Sequence, residues 1–247
     1  MLVDDFASNF DWHNVLHAVS DEYPYSNEKD VYRFELAGVT IDTPWSMLKP
    51  DVWRSLFQGY YEGSERAAIK STVRPGDRVL EIGAGLGFIG TLCSKDFGAK
   101  VTSVEADPSL IPLIRHTHRI NRVCIEVIHA AGAATDANVI FYRQPSFWAS
   151  SIVPMPGSQA QEVPGRSLNK LAKEFSPDVL IVDIEGGEKM IFEDFQNENI
   201  RSIIVEVHKP QIGLLAISKC FQDLHAAGFG YDPVGSSGSN VVFSRHY

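Results

Sequence analysis

Cysteines that could work as a pair are missing from this 247-residue chain. Cys93, Cys124 and Cys220 are odd in number, far apart and never spaced as C-x-x-C. That excludes a disulfide framework and a thiolate zinc site, and it fits a reducing compartment. Positive charge is also scarce: 22 Lys and Arg stand against 31 Asp and Glu, a formal net charge of −9. A nucleic-acid partner requires a basic face. The densest basic stretch, Arg115 to Arg119 with Arg122 beyond it, reads instead as a solvated helix face. No run approaches the ~18 uninterrupted apolar residues of a membrane span. The start, Met-Leu-Val-Asp-Asp-Phe, is acidic where a signal peptide is basic. The expectation from these absences is a cytoplasmic protein with neither nucleic acid nor membrane as partner.

What is present is an ordinary folding composition, 44% hydrophobic and 21% charged, of a length suited to one α/β domain with additions. Residues 1–60 differ from the rest. Phe6, Phe10, Trp12, Val15, Leu16 and Val19 are compatible with a short amphipathic helix. Val31–Asp42 alternates around Ala37-Gly38 as a hairpin. Pro50 opens a helix carrying Val52, Trp53, Leu56 and Phe57, with Gly59 placed to end it. This aromatic-rich segment is read as a cap on a main domain at 61–247; the hairpin would serve a homodimer equally well.

From residue 64 onward strands alternate with helices. Ser64 is placed to cap a helix through Thr72; Arg78–Ile82 reads as the first strand of the domain and 88–97 as a helix closed by Gly98. Further strands fall at 101–105, 125–130, 179–182 and 203–207, with helices beginning at Asp107-Pro108 and near Leu214. Val179-Leu180-Ile181-Val182 is apolar throughout, as in a strand buried on both faces. The tail, around a Gly/Ser turn, reads as a closing antiparallel hairpin. The fold class is therefore α/β: an open, mostly parallel, Rossmann-like sheet with helices on both faces. Phe141 to Arg166, with four prolines and the aromatics Phe147 and Trp148, is read as a partly ordered lid whose Ser150 and Ser151 are within reach of substrate.

In such a sheet ligands bind beyond the carboxyl ends of the strands. Gly83, Gly85 and Gly87 occupy the first strand–helix turn, where glycine permits positive φ and close approach of a ligand to backbone. About 22 residues after Gly83, Glu105 ends the second strand, placed to accept the ribose hydroxyls of an adenosine-containing cofactor. A dinucleotide fingerprint, G-x-G-x-x-G, fails here because the sixth position is Phe88. That counts against a nicotinamide-dependent oxidoreductase. Glu81, inside the strand, suits a cationic ligand better than a pyrophosphate. The pattern E-x-G-x-G-x-G resembles the S-adenosylmethionine (SAM) site of class I methyltransferases.

Downstream, D-x-E-G-x-E at Asp183–Glu188 and E-x-H at Glu206–His208, with Gly59–Glu65 and Val163–Leu171 upstream of them, resemble the FkbM family of SAM-dependent methyltransferases over roughly residues 55–243. Gly187 departs from the alanine frequent there. The resemblance implies methyl transfer, mostly to hydroxyls of sugars and secondary metabolites. The cofactor set is then Tyr61, Glu65, Glu81, Gly83, Ala84, Gly85, Gly87, Phe88, Glu105, Ala106, Ala131 and Asp183. Catalytic candidates are His208, Asp183 and Glu185: an alcohol needs a base, and His208 or Asp183 is placed to be one. Glu188 reads as a helix N-terminal acid, with a share in the site as the other reading. The acceptor is expected to be a small molecule with a hydroxyl, and no metal is assigned. Mg²⁺ on Asp183, Glu185, Glu206 and His208 stays open, although such clusters more often form ion pairs. N-methylation and a non-catalytic SAM-binding module are the alternatives.

Overall fold

The computed structural model describes residues 31–44, 47, 50–144 and 150–245. The helix read at Phe6–Val19 and the aromatics Trp45, Phe147 and Trp148 lie outside the described residues. Among the described residues, no helix is long and apolar enough to cross a membrane.

One seven-stranded sheet organises the chain. Its parallel strands are β3 (Arg78–Ile82), β4 (Lys100–Glu105), β5 (Glu126–His129), β10 (Val179–Val182) and β11 (Ser202–Glu206). The antiparallel strands β12 (Gly230–Ser237) and β13 (Asn240–Ser244) close one edge. The spatial order is β12-β13-β11-β10-β3-β4-β5. The sheet is therefore open, mostly parallel and Rossmann-like. The central strands are apolar on both faces, so one hydrophobic cluster forms on each side. Between β3 and β10 the strand order reverses, and a crevice opens at their carboxyl ends.

The hairpin is β1 (Val31–Leu36) with β2 (Val39–Pro44), turning at Ala37-Gly38 with both φ positive, as a two-residue hairpin turn requires. It packs with α1 (Pro50–Phe57) into the same hydrophobic cluster as α2 (Gly63–Thr72), α3 (Phe88–Phe97) and α4 (Ile111–Ile120). Polar pins add to this. Asp42, only 2% exposed, accepts both Arg33 bonds (2.7 and 2.8 Å) and faces His116 Nε2 of α4 at 2.9 Å. Burial raises the Asp42 carboxyl, but Arg33 and His116 outweigh it and hold it below the usual carboxylate range. Asn121 bridges both backbone groups of Thr40.

Several boundaries differ from those read in the sequence. Ser64 is not the cap of α2: Glu62 is, in the left-handed region at φ 50, while Ser64 Oγ receives the Asn240 amide instead. Asp107 does not start α4 directly. Its carboxylate accepts the Ser109 N–H and hydroxyl and so closes a separate turn before Ile111. The last long helix, α7 (Lys209–Ala226), begins five residues earlier than Leu214 and breaks at Gly213, φ 74. The lid stretch is strand at both of its ends. β7 (Val139–Arg143) and β8 (Gln159–Val163) form an antiparallel arm, and β6 (Ala131–Ala133) pairs in parallel with β9 (Gly165–Ser167). Helix α5 (Leu168–Phe175) follows, and α6 (Glu188–Ile191) is a single turn after β10.

Candidate active site

The crevice at the strand ends is a cavity of about 430 Å³, within the range of small-molecule and cofactor sites. Its floor is the turn after β3. Gly83 (φ 91) and Gly85 (φ 53) hold conformations that side chains resist. Gly83 is also where the loops of β3 and β10 touch. A Cβ there would overlap the Asp183 carbonyl oxygen and lie 2.8 Å from its carbon.

Every site residue expected from the sequence lines this cavity except Gly87. Gly87 instead starts α3 in the left-handed region, packed against Ile114 and His118 of α4. Its role is to let the two helices approach. Tyr61 meets Phe88 edge-on at 5.6 Å and closes one wall. Ser150 and Ser151 line the cavity, but both hydroxyls are engaged by protein. Ser150 Oγ accepts the Gln144 N–H, and Ser151 Oγ donates to the Glu185 carbonyl.

Glu81 and Glu105 are tied into the scaffold. Glu81 Oε1 accepts the Gly90 N–H at 2.9 Å and Oε2 accepts the Ser103 hydroxyl. The carboxylate thus braces β3, α3 and β4 while its edge reaches the cavity. Glu105 Oε2 accepts the N–H groups of Ala84 and Gly85, both at 3.0 Å, and Oε1 accepts Asp107 N–H at 2.8 Å. It holds the glycine turn in place. Three of the roughly four acceptor positions of a carboxylate are used, which leaves room for one more donor. Burial raises both groups to about 7, against the hydrogen bonds that lower them.

The opposite wall is acidic. Glu62, Glu65, Asp183, Glu185 and Glu206 face the cavity, and among the described lining residues His208 is the only base. Sequence reading assigned no role to Glu62. It reaches the site because its left-handed backbone turns the chain at the start of α2, a conformation without a clear sequence signal. Glu65, 3% exposed, has its carboxyl well above the usual range through burial and then through Glu62 and Asp183. Asp183 is raised well above the usual range by burial and then by Glu62 and Glu206. His208 Nε2 lies 3.3 Å from Glu185 and 3.6 Å from Asp183, and Nδ1 lies 3.3 Å from Glu188. Burial pulls His208 down, but Glu188, Asp183 and Glu185 together outweigh it and lift it to about 9. That direction favours the imidazolium at neutral pH.

Donor atoms of Asp183, Glu206 and His208 lie within 4.8 Å of one another, as do those of Glu62, Glu65 and Asp183. Of the first set, His208 Nε2 faces Asp183 at 3.6 Å and Glu206 accepts the Ser239 hydroxyl at 2.8 Å.

With this geometry in view, comparison with known proteins is decisive on one point. Residues 81–226 match the model of the methyltransferase FkbM domain. The chain belongs to the FkbM methyltransferase family. The matched span runs from Glu81 through the glycine turn and the Asp183, Glu185 and Glu206 part of the acidic wall to the end of α7, while Glu62 and Glu65 precede it. Ribosomal protein L11 methyltransferase of Burkholderia mallei is 35% identical over 54 residues, which span 22% of this chain and 18% of that one. Among solved structures, M. jannaschii TYW2 in complex with AdoMet has a TM-score of 0.48 at 10% identity over 87% of each chain. A TehB-like SAM-dependent methyltransferase from Corynebacterium glutamicum has 0.47 at 13% identity, over 79% of this chain and 95% of that one. Likeness at this level adds nothing to the family match.

The cofactor of this family, SAM, can be tested against the residues present. A bare glycine backbone, a buried carboxylate with one free acceptor position at the end of β4, and a wall rich in carboxylates suit an adenosine that carries an ammonium and a sulfonium. The residues fit the group.

Proposed function

We propose that the chain is a SAM-dependent methyltransferase acting on a hydroxyl of a small molecule. The observation that carries this reading is the placement, in one cavity, of Glu105 over the glycine turn and of His208 among Asp183 and Glu185. When bound, the cofactor supplies a methyl group whose C–S bond breaks as the new C–O bond forms, the electron pair remaining on sulfur.

Glu105 accepts a ribose hydroxyl at its free position; a second hydroxyl would displace one loop amide. The turn at Gly83 and Gly85 lets the ligand lie against the backbone, with Glu65, Glu62 and Tyr61 nearby for the ammonium end. At the far wall, orientation supplies most of the rate: the acceptor oxygen has to sit about 3–3.5 Å from the methyl carbon. His208 Nε2 or Asp183 takes the acceptor proton. A positive charge entering the cavity repels the proton of His208, which brings the ring toward a working base. Water exclusion falls to the β7–β8 arm and Tyr61.

An amine acceptor is the second reading, favoured by the five carboxylates on one wall with a single histidine. The two readings separate in one assay. S-adenosylhomocysteine release is followed with labelled SAM over a panel of hydroxylated and amino metabolites, for wild type and His208→Gln. Turnover on a hydroxyl that falls at least a hundredfold in the variant supports the first reading. Turnover confined to amines supports the second. SAM binding without turnover on either class would leave a binding module.

A further inference from the structure

Glu188 lies outside the cavity lining, yet it holds the residue assigned there as a base. Its side chain is 0% exposed. As an acid in the first turn of α6 it could serve that helix, but its hydrogen bonds go elsewhere. Oε1 accepts the His208 backbone N–H at 2.7 Å and faces the ring Nδ1 at 3.3 Å. Oε2 has no hydrogen-bond partner. A buried carboxylate with one bare oxygen is costly unless a positive or donating group stands against the other, and His208 is that group.

We infer that Glu188 is a positioning residue, which fixes the tautomer and direction of His208 so that Nε2 presents its lone pair to the acceptor. A carboxylate accepts but does not donate, so a neutral ring facing Glu188 keeps its proton on Nδ1. Nε2, on the other side of the ring, then points to Asp183 and Glu185 at the cavity wall. Both nitrogens of the ring are thereby assigned: one to hold, one to react. This is the logic by which a buried acid sets the tautomer of a catalytic histidine. The groups facing the ring are Glu188 of α6, Asp183 and Glu185 of the β10–α6 turn, and Glu206 of its own strand end; Gln211 of α7 donates to Glu185. Of these, Glu188 alone addresses Nδ1. A fixed Nδ1–H tautomer leaves Nε2 free to take the proton that an acceptor gives up on methylation. That last step rests on the proposed methyl transfer; the tautomer does not.

Nitrogen-15 NMR of the imidazole rings on the full chain tests the inference, with His208→Gln to assign the resonance. Above its titration midpoint, wild-type His208 is expected to carry its proton on Nδ1, and in Glu188→Gln the Nε2–H form is expected to rise to a comparable population. Binding of S-adenosylhomocysteine should stay within threefold in that variant, which separates positioning from damage to the cofactor site. A wild-type ring protonated on Nε2 overturns the inference, as does an unchanged tautomer in Glu188→Gln. Should the variant fail to fold, the wild-type spectrum decides alone. Absence of S-adenosylhomocysteine binding to wild type would instead count against the methyltransferase reading and leave the tautomer result standing.

Discussion

Replacing Gly83 by alanine perturbs the point on which the site depends most. Gly83 has φ 91, a backbone conformation that costs an L-residue about 1–2 kcal/mol. The added Cβ would also overlap the Asp183 carbonyl, a backbone group of the neighbouring loop that cannot swing aside like a side chain. Parting the two loops costs a further 1–3 kcal/mol, roughly, by analogy with overpacked cores. The expected sum is about 3 kcal/mol, which for a domain of this size lowers Tm by about 6–12 °C. Separation at the floor of the cavity should also weaken S-adenosylhomocysteine at least tenfold, since each factor of ten is about 1.4 kcal/mol. Gly98→Ala is the control: φ is 60 and nothing lies within 4 Å of its Cβ, so only the backbone term remains. Thermal unfolding and calorimetric titration of both variants provide the readouts. A Gly83→Ala shift no larger than that of Gly98→Ala, with affinity within threefold of wild type, would refute the claim that close contact of the β3 and β10 loops builds the site.

Stability should fall as pH rises. Glu81, Glu105 and Glu185 have folded pKa values raised to about 7 from ordinary values near 4.5. Their contribution is present below about 4.5 and is lost as pH passes 7, up to roughly 3 kcal/mol for each fully buried group. His208, raised to about 9, adds stability that is complete below 6.5 and lost through 9. The unliganded protein should therefore have a lower Tm at pH 8.5 than at pH 5.5; a flat or rising curve over that window would contradict the burial of these acids. SAM binding at pH 7 should release protons, seen as calorimetric enthalpies that change with buffer ionisation enthalpy, and buffer-independent enthalpies would argue against the raised carboxyls of Glu81, Glu105 and Glu185. Asp42→Ala should cost about 3–5 kcal/mol, because Arg33 and His116 lose a buried partner; an unchanged Tm would mean that the hairpin does not depend on that pin.

Much of this was legible because the signals are local. The glycine turn, Glu105 at its distance and the apolar β10 follow from short-range patterning, and each lies where the pattern placed it. The β7–β8 arm was hidden for two reasons. Its span, with three prolines between the strands, resembles a loop, and β8 is the exposed, polar Gln159–Val163 without alternating hydrophobicity. The amphipathic Leu168–Phe175 carried a helix signal that was not used. Glu62 depends on a positive φ at a non-glycine residue, which composition does not reveal. The link from Glu188 to His208 depends on how the loops after β10 and β11 meet, a matter of sheet order. The charge of His208 is likewise a sum over three carboxylates brought from two elements. A pKa read from residue type alone misses it.

The most direct test is calorimetric titration of S-adenosylhomocysteine into wild type and Glu105→Ala. The account predicts micromolar binding to wild type and at least a hundredfold loss in the variant. The loss combines about 2–3 kcal/mol for a charge-assisted bond to ribose with disorder of a glycine turn that Glu105 otherwise holds. No binding to wild type, or equal binding to both, would contradict it.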